Sequence, residues 1–296
     1  MATIAARTTV LLRAHRKPLR SYVGQVIYYA VLCIIGLILF TPFILAFLGS
    51  FKTDSEIIAW PPTFLPSEWH PENWVKLWRT DFGAGANFPR WLFNTAFLSL
   101  VVAVLQVAFC SMAGYAFARL KFPGKDAIFS FMLASMMIPG AVTLVPSYVL
   151  MARIKLVNTF WALILPGAVG AFGIFMLTQF FKSIPRELEE AALIDGASLF
   201  RIYSQIVLPL ARPALLTLFI LQFQGMWNAF LGPLLYLNTP DKWVLNVALM
   251  TFQYQYKAAW NITLVGSMVN AAPILVMFFL FSRYYIEGIS YAGLKG

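Results

Sequence analysis

Six long apolar runs without a single charged residue constrain what this 296-residue chain can fold into. Each run is 25 to 31 residues long, and a helix needs about 20 apolar residues to cross a hydrocarbon core of about 30 Å. Buried helices of soluble proteins rarely reach this length without a charge, and a transmembrane β-barrel would show short segments of alternating polarity. The sequence therefore predicts an all-α membrane protein with six transmembrane helices. The runs are residues 21–51, 91–118, 127–152, 156–181, 213–240 and 258–282.

The overall composition excludes several other classes of protein. Charged residues make up 11% of the chain and hydrophobic residues 60%, against about 25% and about 45–50% in soluble domains. A soluble globule of this size must still cover its outside with polar groups. A soluble enzyme, a disordered tail protein and a nucleic-acid-binding domain are therefore excluded, despite the net charge of +10.

The distribution of positive charge predicts the orientation of the chain. With a cytoplasmic N-terminus, 14 of the 22 Lys and Arg residues fall in cytoplasmic segments, as the positive-inside rule requires. Both termini are then cytoplasmic, and the spans lie near 26–48, 92–116, 128–150, 158–180, 213–236 and 260–282. The predicted plan is a cytoplasmic tail at 1–25, a first transmembrane helix at 26–50, an extracytoplasmic loop at 51–90, a core with five transmembrane helices at 91–282, and a cytoplasmic tail at 283–296.

The extracytoplasmic loop is rich in proline and tryptophan. The prolines argue against one long helix, and tryptophan suits the interface between membrane and water. An interfacial belt and a docking surface for an external partner are both open readings. The short connection around residues 153–155 predicts a tight hairpin between the third and fourth spans.

The cytoplasmic loop at 182–212 has the sequence of a small helix–turn–helix. Pro185 suits a helix start because its missing N–H would be unpaired there, and the acidic residues after it suit the positive end of the helix dipole. Gly196 can adopt the left-handed conformation that ends many helices, and Ser198 can cap a second short helix that runs through Ile206. From these residues alone, a partner-docking element and a passive connector are equally well supported.

The sequence contains no recognisable nucleotide-binding site, ion-coupling residue or catalytic group. The nearest approach to a phosphate-binding loop, Gly124-Lys125, is followed by Asp126 and has Arg119 where a glycine is required. The six spans lack ionisable residues, which disfavours an ion-coupled transporter, although coupling through backbone oxygens stays open. The two histidines form no metal-ligand or catalytic pattern. We therefore expect no catalytic residue, metal or cofactor in this chain.

The polar residues inside the spans are mainly amides, and one cluster, at 222–228, includes a tryptophan. A buried amide must find a hydrogen-bond partner, which could lie on a neighbouring helix. Amides beside an aromatic face also suit a neutral polyhydroxylated ligand. The candidates for a translocation path are Asn94, Gln106, Gln222, Gln224, Trp227, Asn228 and Asn270.

Residues 190–209 read EAALIDGASLFRIYSQIVLP and resemble the EAA signature of ABC importer permease subunits. The pattern is filled by Glu190, Ala191, Ala192, Gly196, Ile206, Leu208 and Pro209. Other segments resemble the carbohydrate branch of that family, of the maltose-permease second-subunit type. They are NTAFLSL at 94–100, AGYAFARLKFPGK at 113–125, MMIPGAVTLVPSY at 136–148, AFGIFMLTQFFKSIP at 171–185 and the terminal GLKG.

This resemblance implies a type I ABC importer permease fold in a prokaryotic cytoplasmic (inner) membrane. It implies three partners: a homologous second permease subunit, a cytoplasmic ATPase dimer that binds ATP and Mg, and an extracytoplasmic solute-binding protein. The loop at 182–212 would be the coupling loop that contacts the ATPase. The residues expected to couple are Glu190, Ala191, Ala192, Asp195, Gly196, Ile206, Leu208 and Pro209.

The resemblance implies that the protein imports a sugar, a di- or oligosaccharide. It also implies that the chain is surrounded by membrane lipid and has no nucleic-acid partner. Three alternatives remain at this point. An ABC permease could carry glycerol phosphate or another small solute, although the spans contain no cation to bind a phosphate. An ion-coupled secondary transporter would need no ATPase subunit. A membrane-embedded enzyme would need a catalytic group that the sequence lacks.

Overall fold

A computed structural model describes residues 19–82, 85–255 and 259–293. Within these ranges every regular element is a helix, which confirms the all-α class. Residues 1–18 and 294–296 of the expected cytoplasmic tails lie outside the described ranges. The helices are α1 Leu19–Gly49, α2 Asp54–Ile57, α3 Glu72–Arg79, α4 Phe88–Arg119, α5 Lys125–Ser135, α6 Gly140–Arg153, α7 Trp161–Gly167, α8 Ala171–Ser183, α9 Glu187–Ile194, α10 Leu199–Ile202, α11 Leu208–Leu210, α12 Arg212–Trp227, α13 Leu231–Tyr236, α14 Leu245–Gln255 and α15 Trp260–Gly293.

Four helical segments in the described part of the chain are long and apolar enough to cross a membrane. They are α1 from Gly24, α4, the stretch Trp161–Ser183 formed by α7 and α8, and α15 as far as Phe281. Two bent pairs, α5 with α6 and Leu199–Leu210 with α12, raise the number to six if each pair is one span. The chain is therefore a multi-pass membrane protein, and each of the six apolar runs contributes to one of these segments.

The third span is not the single helix that the sequence predicts over 128–150. It is broken between α5 and α6, whose axes differ by 102°. Pro139 lies at the break, with ψ of 134°. It explains the break because proline lacks an N–H and pushes the residue before it out of the helix. As a result α5 packs against α8 while α6 packs against α13, and Met151 of α6 also shares a buried cluster with Ala162 of α7 across the short connection.

The fifth span is also interrupted where one helix over 213–236 is expected. The polypeptide turns by 77° into α12, with Pro213 in the first turn of that helix. After Trp227 the chain leaves the helix, and α13 begins only at Leu231. Pro233 explains this second break, because its ring would clash with the carbonyl of Ala229 in a continuous helix.

The helix α4 is the centre of the fold and packs against both α8 and α12. Close approach needs small residues, and a Cβ atom at Gly167 or Gly173 would lie 2.9 Å from a side-chain atom of Val102 or Cys110, respectively. The glycines of the fourth span therefore permit close helix contact. The face of α4 buried by these contacts includes Leu98, Val102, Ala103, Cys110 and Ala118.

The segment from residue 50 to α3 folds as a small module held together by hydrogen bonds and an ion pair, named here the outer module. The side chain of Lys52 is 6% exposed and lies 3.7 Å from the carboxylate of Glu56. Asn73 is buried and donates to the backbone oxygen of Lys52 at 3.0 Å. Asp54 accepts from the backbone N–H of Asn261 at 2.9 Å, which ties the module to α15. Two short helices replace one long one here, as the prolines predict.

The stretch 241–257, expected to be an outside loop, contains a buried helix instead. Leu245, Val247 and Ala248 of α14 are at most 1% exposed, and the helix packs against α4 and α15. The sequence does hold a weak signal for it, since residues 243–256 are uncharged. An apolar run of about 14 residues is too short to span a bilayer but is typical of a buried or re-entrant helix.

Candidate functional site

An open cleft of about 480 Å³ lies where the fifth span is interrupted. Asn228 lies in the non-helical stretch between α12 and α13, together with Phe230, and both line the cleft. Asn246 and Met250 line it from α14. Non-helical backbone at membrane depth is tolerated where it is buried in protein or borders a wet cavity. The described lining of the cleft is two amides, one aromatic ring and one thioether.

A hydrogen-bonded layer behind the cleft fixes its wall. The indole N–H of Trp227 donates to the backbone oxygen of Asn270 at 3.0 Å, and Asn270 Nδ2 donates to Asn246 Oδ1 at 2.9 Å. Asn246 Nδ2 in turn donates to the backbone oxygen of Trp227 at 3.1 Å. This closed ring of bonds joins α12, α14 and α15, so that Asn246 is held by its neighbours while the side chain of Asn228 is exposed toward the cleft.

The seven path candidates therefore have different surroundings. Asn228 lines the cleft, and Trp227 and Asn270 support it from behind. Gln222 and Gln224 are half-buried on α12, and the backbone oxygen of Gln224 accepts from the N–H of Asn228 at 3.0 Å. Sequence reasoning missed Asn246, because its helix was expected to be a loop.

The other two candidates lie within α4, away from the described lining of the cleft. Asn94 is 1% exposed, and its Nδ2 donates to the backbone oxygens of Asp241 and Trp243 at 2.9 and 3.0 Å. Gln106 is 6% exposed and packs against Gly170, where any side chain would clash with its amide. Asn94 therefore has the environment of an amide that holds a helix and a loop together, whereas Oε1 of Gln106 is buried without a hydrogen-bond partner among the described residues.

The second functional element is the helix–turn–helix formed by α9 and α10, and its local structure is the one that the sequence predicts. Gly196 has φ of +79°. Its N–H donates to the oxygen of Leu193, and the N–H of Ala197 donates to the oxygen of Ala192, which is the pair of bonds of a Schellman C-cap. The hydroxyl of Ser198 then accepts from the N–H of Arg201 and starts α10. A π-helical turn at Tyr203–Val207 leads from α10 to α11.

Large apolar side chains lie exposed on this otherwise charged segment. Ile194 is 87% exposed and Phe200 72%, and their neighbours Leu188, Leu193 and Leu199 are also exposed. An exposed apolar patch rimmed by charge is typical of a protein interaction site. On the opposite side, Ala192, Ala197, Ile206 and Leu208 pack against the core around α4 and α8. The expected coupling residues divide accordingly: Ala192, Ile206 and Leu208 are on this inward side, Pro209 is half-buried, and the exposed ones are Glu190, Ala191, Asp195 and Gly196.

Sequence reasoning also missed an ion pair at the base of this element. Arg119 Nε lies 2.6 Å from Glu189 Oε1, with the two side chains 6% and 12% exposed. The contact is an ion pair rather than a linear hydrogen bond. The pairing could not be foreseen, because the two residues lie in separate segments whose proximity depends on the tertiary fold.

Comparison with known proteins agrees with this geometry. Residues 110–287 match the family described as binding-protein-dependent transport system inner membrane component. The chain is 35% identical over 257 residues to the arabinooligosaccharides transport system permease protein AraQ of Halalkalibacterium halodurans, a match that covers 86% of this chain and 91% of that protein. It is 32% identical over 268 residues to the diacetylchitobiose uptake system permease protein NgcG of Streptomyces coelicolor, with 89% and 87% covered.

Among solved structures, the chain is similar to one in the crystal structure of a bacterial ABC transporter involved in the import of the acidic polysaccharide alginate. The TM-score is 0.77 at 21% identity, with 90% of this chain and 98% of that chain covered, which supports the fold assignment. The family match spans more than half of the chain, and the relatives confirm the resemblance to ABC importer permease subunits. The chain therefore belongs to the family of inner membrane components of binding-protein-dependent transport systems, the permease subunits of ABC importers.

Proposed function

We propose that this chain is a permease subunit of an ATP-driven importer for a neutral oligosaccharide in the cytoplasmic membrane of a prokaryote. Both termini and the loop at 182–212 face the cytoplasm, and six spans cross the bilayer. The observation that carries the solute class is the cleft at the interrupted fifth span, with Asn228 and Asn246 in its lining. The names of the relatives AraQ and NgcG, which transport arabinooligosaccharides and diacetylchitobiose, support the same class.

The chemistry of the lining suits a sugar better than a phosphorylated solute. An amide both donates and accepts hydrogen bonds and so matches sugar hydroxyls, and the ring of Phe230 offers an apolar face to the C–H side of a pyranose or furanose. Phosphate is bound by cations such as Arg or Lys, and the described lining residues contain none. Glycerol phosphate is therefore a weaker candidate, because its charge would have to be met by the partner permease.

The length of α12 supports a path through the membrane. The helix has 16 residues, which corresponds to about 24 Å at about 1.5 Å per residue. Counted from the cytoplasmic start of α12, the cleft then lies in the outer half of a hydrocarbon core about 30 Å thick. A solute released by an extracytoplasmic binding protein would meet Asn228 early in its passage.

Energy would enter through the exposed surface of α9 and α10. ATP bound with Mg in the partner ATPase dimer closes that dimer, and the closure moves the coupling loop of this chain and that of the second permease subunit. The spans then change from an inward-open to an outward-open arrangement. A solute biases such an equilibrium only by its different affinity for the two states, so weak binding in the cleft is sufficient for transport.

The test is uptake by the complete complex in proteoliposomes, with the binding protein outside and ATP inside. We expect ATP-dependent uptake of an arabinooligosaccharide and no uptake of glycerol phosphate. Uptake that follows an ion gradient without ATP would instead indicate a secondary transporter.

The cleft itself is tested by Asn228→Ala and Asn246→Ala. Asn228→Ala should reduce uptake or change the preference among sugars by about 3- to 10-fold, the equivalent of one lost neutral hydrogen bond. Asn246→Ala should have at least this effect, because it also removes the bonds of Asn246 to Trp227 and Asn270. The matched control is Asn238→Ala, an exposed amide that is not in the described lining. Unchanged uptake of every transported sugar in both variants would assign these amides to packing alone.

A further inference from the structure

A polar stripe on the cytoplasmic half of α4 contacts both arms of the coupling loop. Ser111, Tyr115 and Arg119 are spaced four residues apart, so they lie on one face of the helix. Each makes a polar contact with residues 184–203, which lie within the coupling loop. The stripe is not part of the EAA signature, and nothing in the cleft uses it.

The incoming arm is held by Arg119. One guanidinium nitrogen donates to the backbone oxygen of Ile184, the residue that ends α8, and another forms the ion pair with Glu189 on α9. Tyr115 adds a long hydrogen bond of 3.4 Å to the second carboxylate oxygen of Glu189. Arg119, at the end of α4, therefore contacts both the end of α8 and the helix α9 of the coupling loop.

The outgoing arm is held by Tyr203, the first residue of the π-helical turn. Its hydroxyl is 2.7 Å from the hydroxyl of Ser111, and its ring centroid lies 5.2 Å from that of Tyr115. A π-helical turn often occurs at a functional site, where it interrupts a regular helix. The coupling loop is thus attached to a single helix face on both sides of its exposed apolar tip.

We propose that Arg119 is a positioning residue that, through Glu189, transmits displacement of the coupling loop to α4. This inference rests on the proposed function, because displacement of the loop is the work of the ATPase. The charged contact suits the task since it joins two side chains of separate elements in a shielded place, where removal of one partner leaves the other buried and uncompensated. The hydroxyl pair of Ser111 and Tyr203 provides the second attachment.

The test measures ATP hydrolysis in the assembled complex, with and without solute-loaded binding protein. Arg119→Ala and Glu189→Gln should still co-purify with the ATPase and keep basal hydrolysis, while stimulation by solute falls about tenfold. The exchanged pair, R119E with E189R, should recover part of the stimulation, and Tyr203→Phe should show a smaller loss. The control is Asp126→Asn, an exposed cytoplasmic-side carboxylate that joins none of the ion pairs of the described residues.

A second measurement separates this inference from the proposed function. Amide hydrogen exchange of residues 187–194 in the purified subunit should increase in Arg119→Ala and Glu189→Gln relative to wild type, whether or not an ATPase is present. Wild-type stimulation in both variants, or unchanged exchange, overturns the role of Arg119. Failure of the wild-type subunit to bind an ATPase overturns the proposed function but leaves the exchange result to decide the attachment. If Arg119→Ala fails to assemble, Glu189→Gln and Tyr203→Phe decide the outcome.

Discussion

The two ends of α4 are attached to their surroundings by different chemistry. At the Phe88 end, Trp91 and Asn94 donate to backbone oxygens of the segment 240–243, and the hydroxyl of Thr95 accepts from the N–H of Leu245 at 2.8 Å. These are neutral bonds to backbone groups. At the Arg119 end, the guanidinium group donates to the backbone oxygen of Ile184 and also forms an ion pair with the side chain of Glu189.

The difference indicates which end of α4 is held rigidly, named here the scaffold end, and which end can move, named here the joint. The backbone of segment 240–245 leads directly into α14 and Asn246, so the outer bonds fix the wall of the cleft relative to α4. The Coulomb attraction of an ion pair depends on distance, whereas the hydrogen bonds between side chain and backbone at the Phe88 end weaken as their angles change. We infer that α4 links the coupling loop to the cleft, with its rigid end at the cleft and its movable end at the loop.

The largest loss of stability is expected from Asn94→Leu at the scaffold end. The substitution keeps the number and branching of the heavy side-chain atoms but leaves the part-buried backbone oxygens of Asp241 and Trp243 without this donor, at up to about 1–3 kcal/mol for each. The midpoint of thermal unfolding of the detergent-purified complex should therefore fall, while the fraction of ATP hydrolysis that solute stimulates stays near wild type in the folded complex.

The control for this prediction is Asn238→Leu, which replaces an exposed amide by the same side chain. An unfolding midpoint equal to wild type in Asn94→Leu would show that the outer bonds carry little of the stability. Loss of stimulation in a fully folded variant would show that both ends of α4 act as joints, and the comparison would then fail.

A smaller but functionally sharper effect is expected from Gly196→Val at the tip of the coupling loop. At φ of +79° an L-residue costs about 1–2 kcal/mol, and a β-branched residue is especially unfavourable. Nothing described lies within 4 Å of a Cβ atom there, so the strain is in the backbone and not in packing. We expect an assembled complex that has lost solute-stimulated ATP hydrolysis.

Two matched variants check the cause of that effect. Gly36→Val adds the same side chain in α1, where nothing lies within 4 Å and φ is ordinary, and it should leave stimulation unchanged. Gly196→Asn should be milder than valine, because asparagine tolerates the left-handed conformation. Equal effects of valine and asparagine would point to a lost contact with the ATPase instead of a distorted turn.

The sequence predicts the coupling loop far better than the cleft, and the reason is physical. Local chemistry determines the loop: Gly196 ends α9 and Ser198 starts α10, and each works through bonds within a few residues. The cleft depends on tertiary contacts, since the side chain of Asn246 is placed by α12 and α15. Hydrophobic length alone marks a run as membrane-embedded but does not reveal where a proline such as Pro139 or Pro233 breaks it.

The amides show the same limit in a different way. Asn94 and Asn228 are the same residue type within apolar runs, yet one is 1% exposed and bonded to backbone and the other lines a cleft. Composition and spacing leave both residues open to either role, because the distinction lies in what the surrounding elements leave open. Arg119 and Glu189 were overlooked for a related reason, since a charge at the end of a span usually faces water.

The smallest predicted effect is a pH dependence of the outer module, which tests whether this side of the molecule is as rigid as the comparison requires. Burial raises the pKa of Glu56, but hydrogen bonds from the backbone N–H of Ser67 and from the hydroxyls of Thr63 and Ser67, together with the nearby Lys52 charge, outweigh it and leave the pKa below the ordinary 4.5. The charged form therefore contributes stability that is fully present above the ordinary pKa and is lost as pH falls through the lowered one. Tryptophan fluorescence of the module should thus be constant from neutral pH down to about 5 and change only in stronger acid. In Glu56→Gln that acid-dependent change should shrink, whereas the exposed Glu68→Gln should behave as wild type. A transition near neutral pH in the wild type would mean that the outer module loosens in the pH range where the coupling loop works. The two ends of α4 would then no longer differ in rigidity.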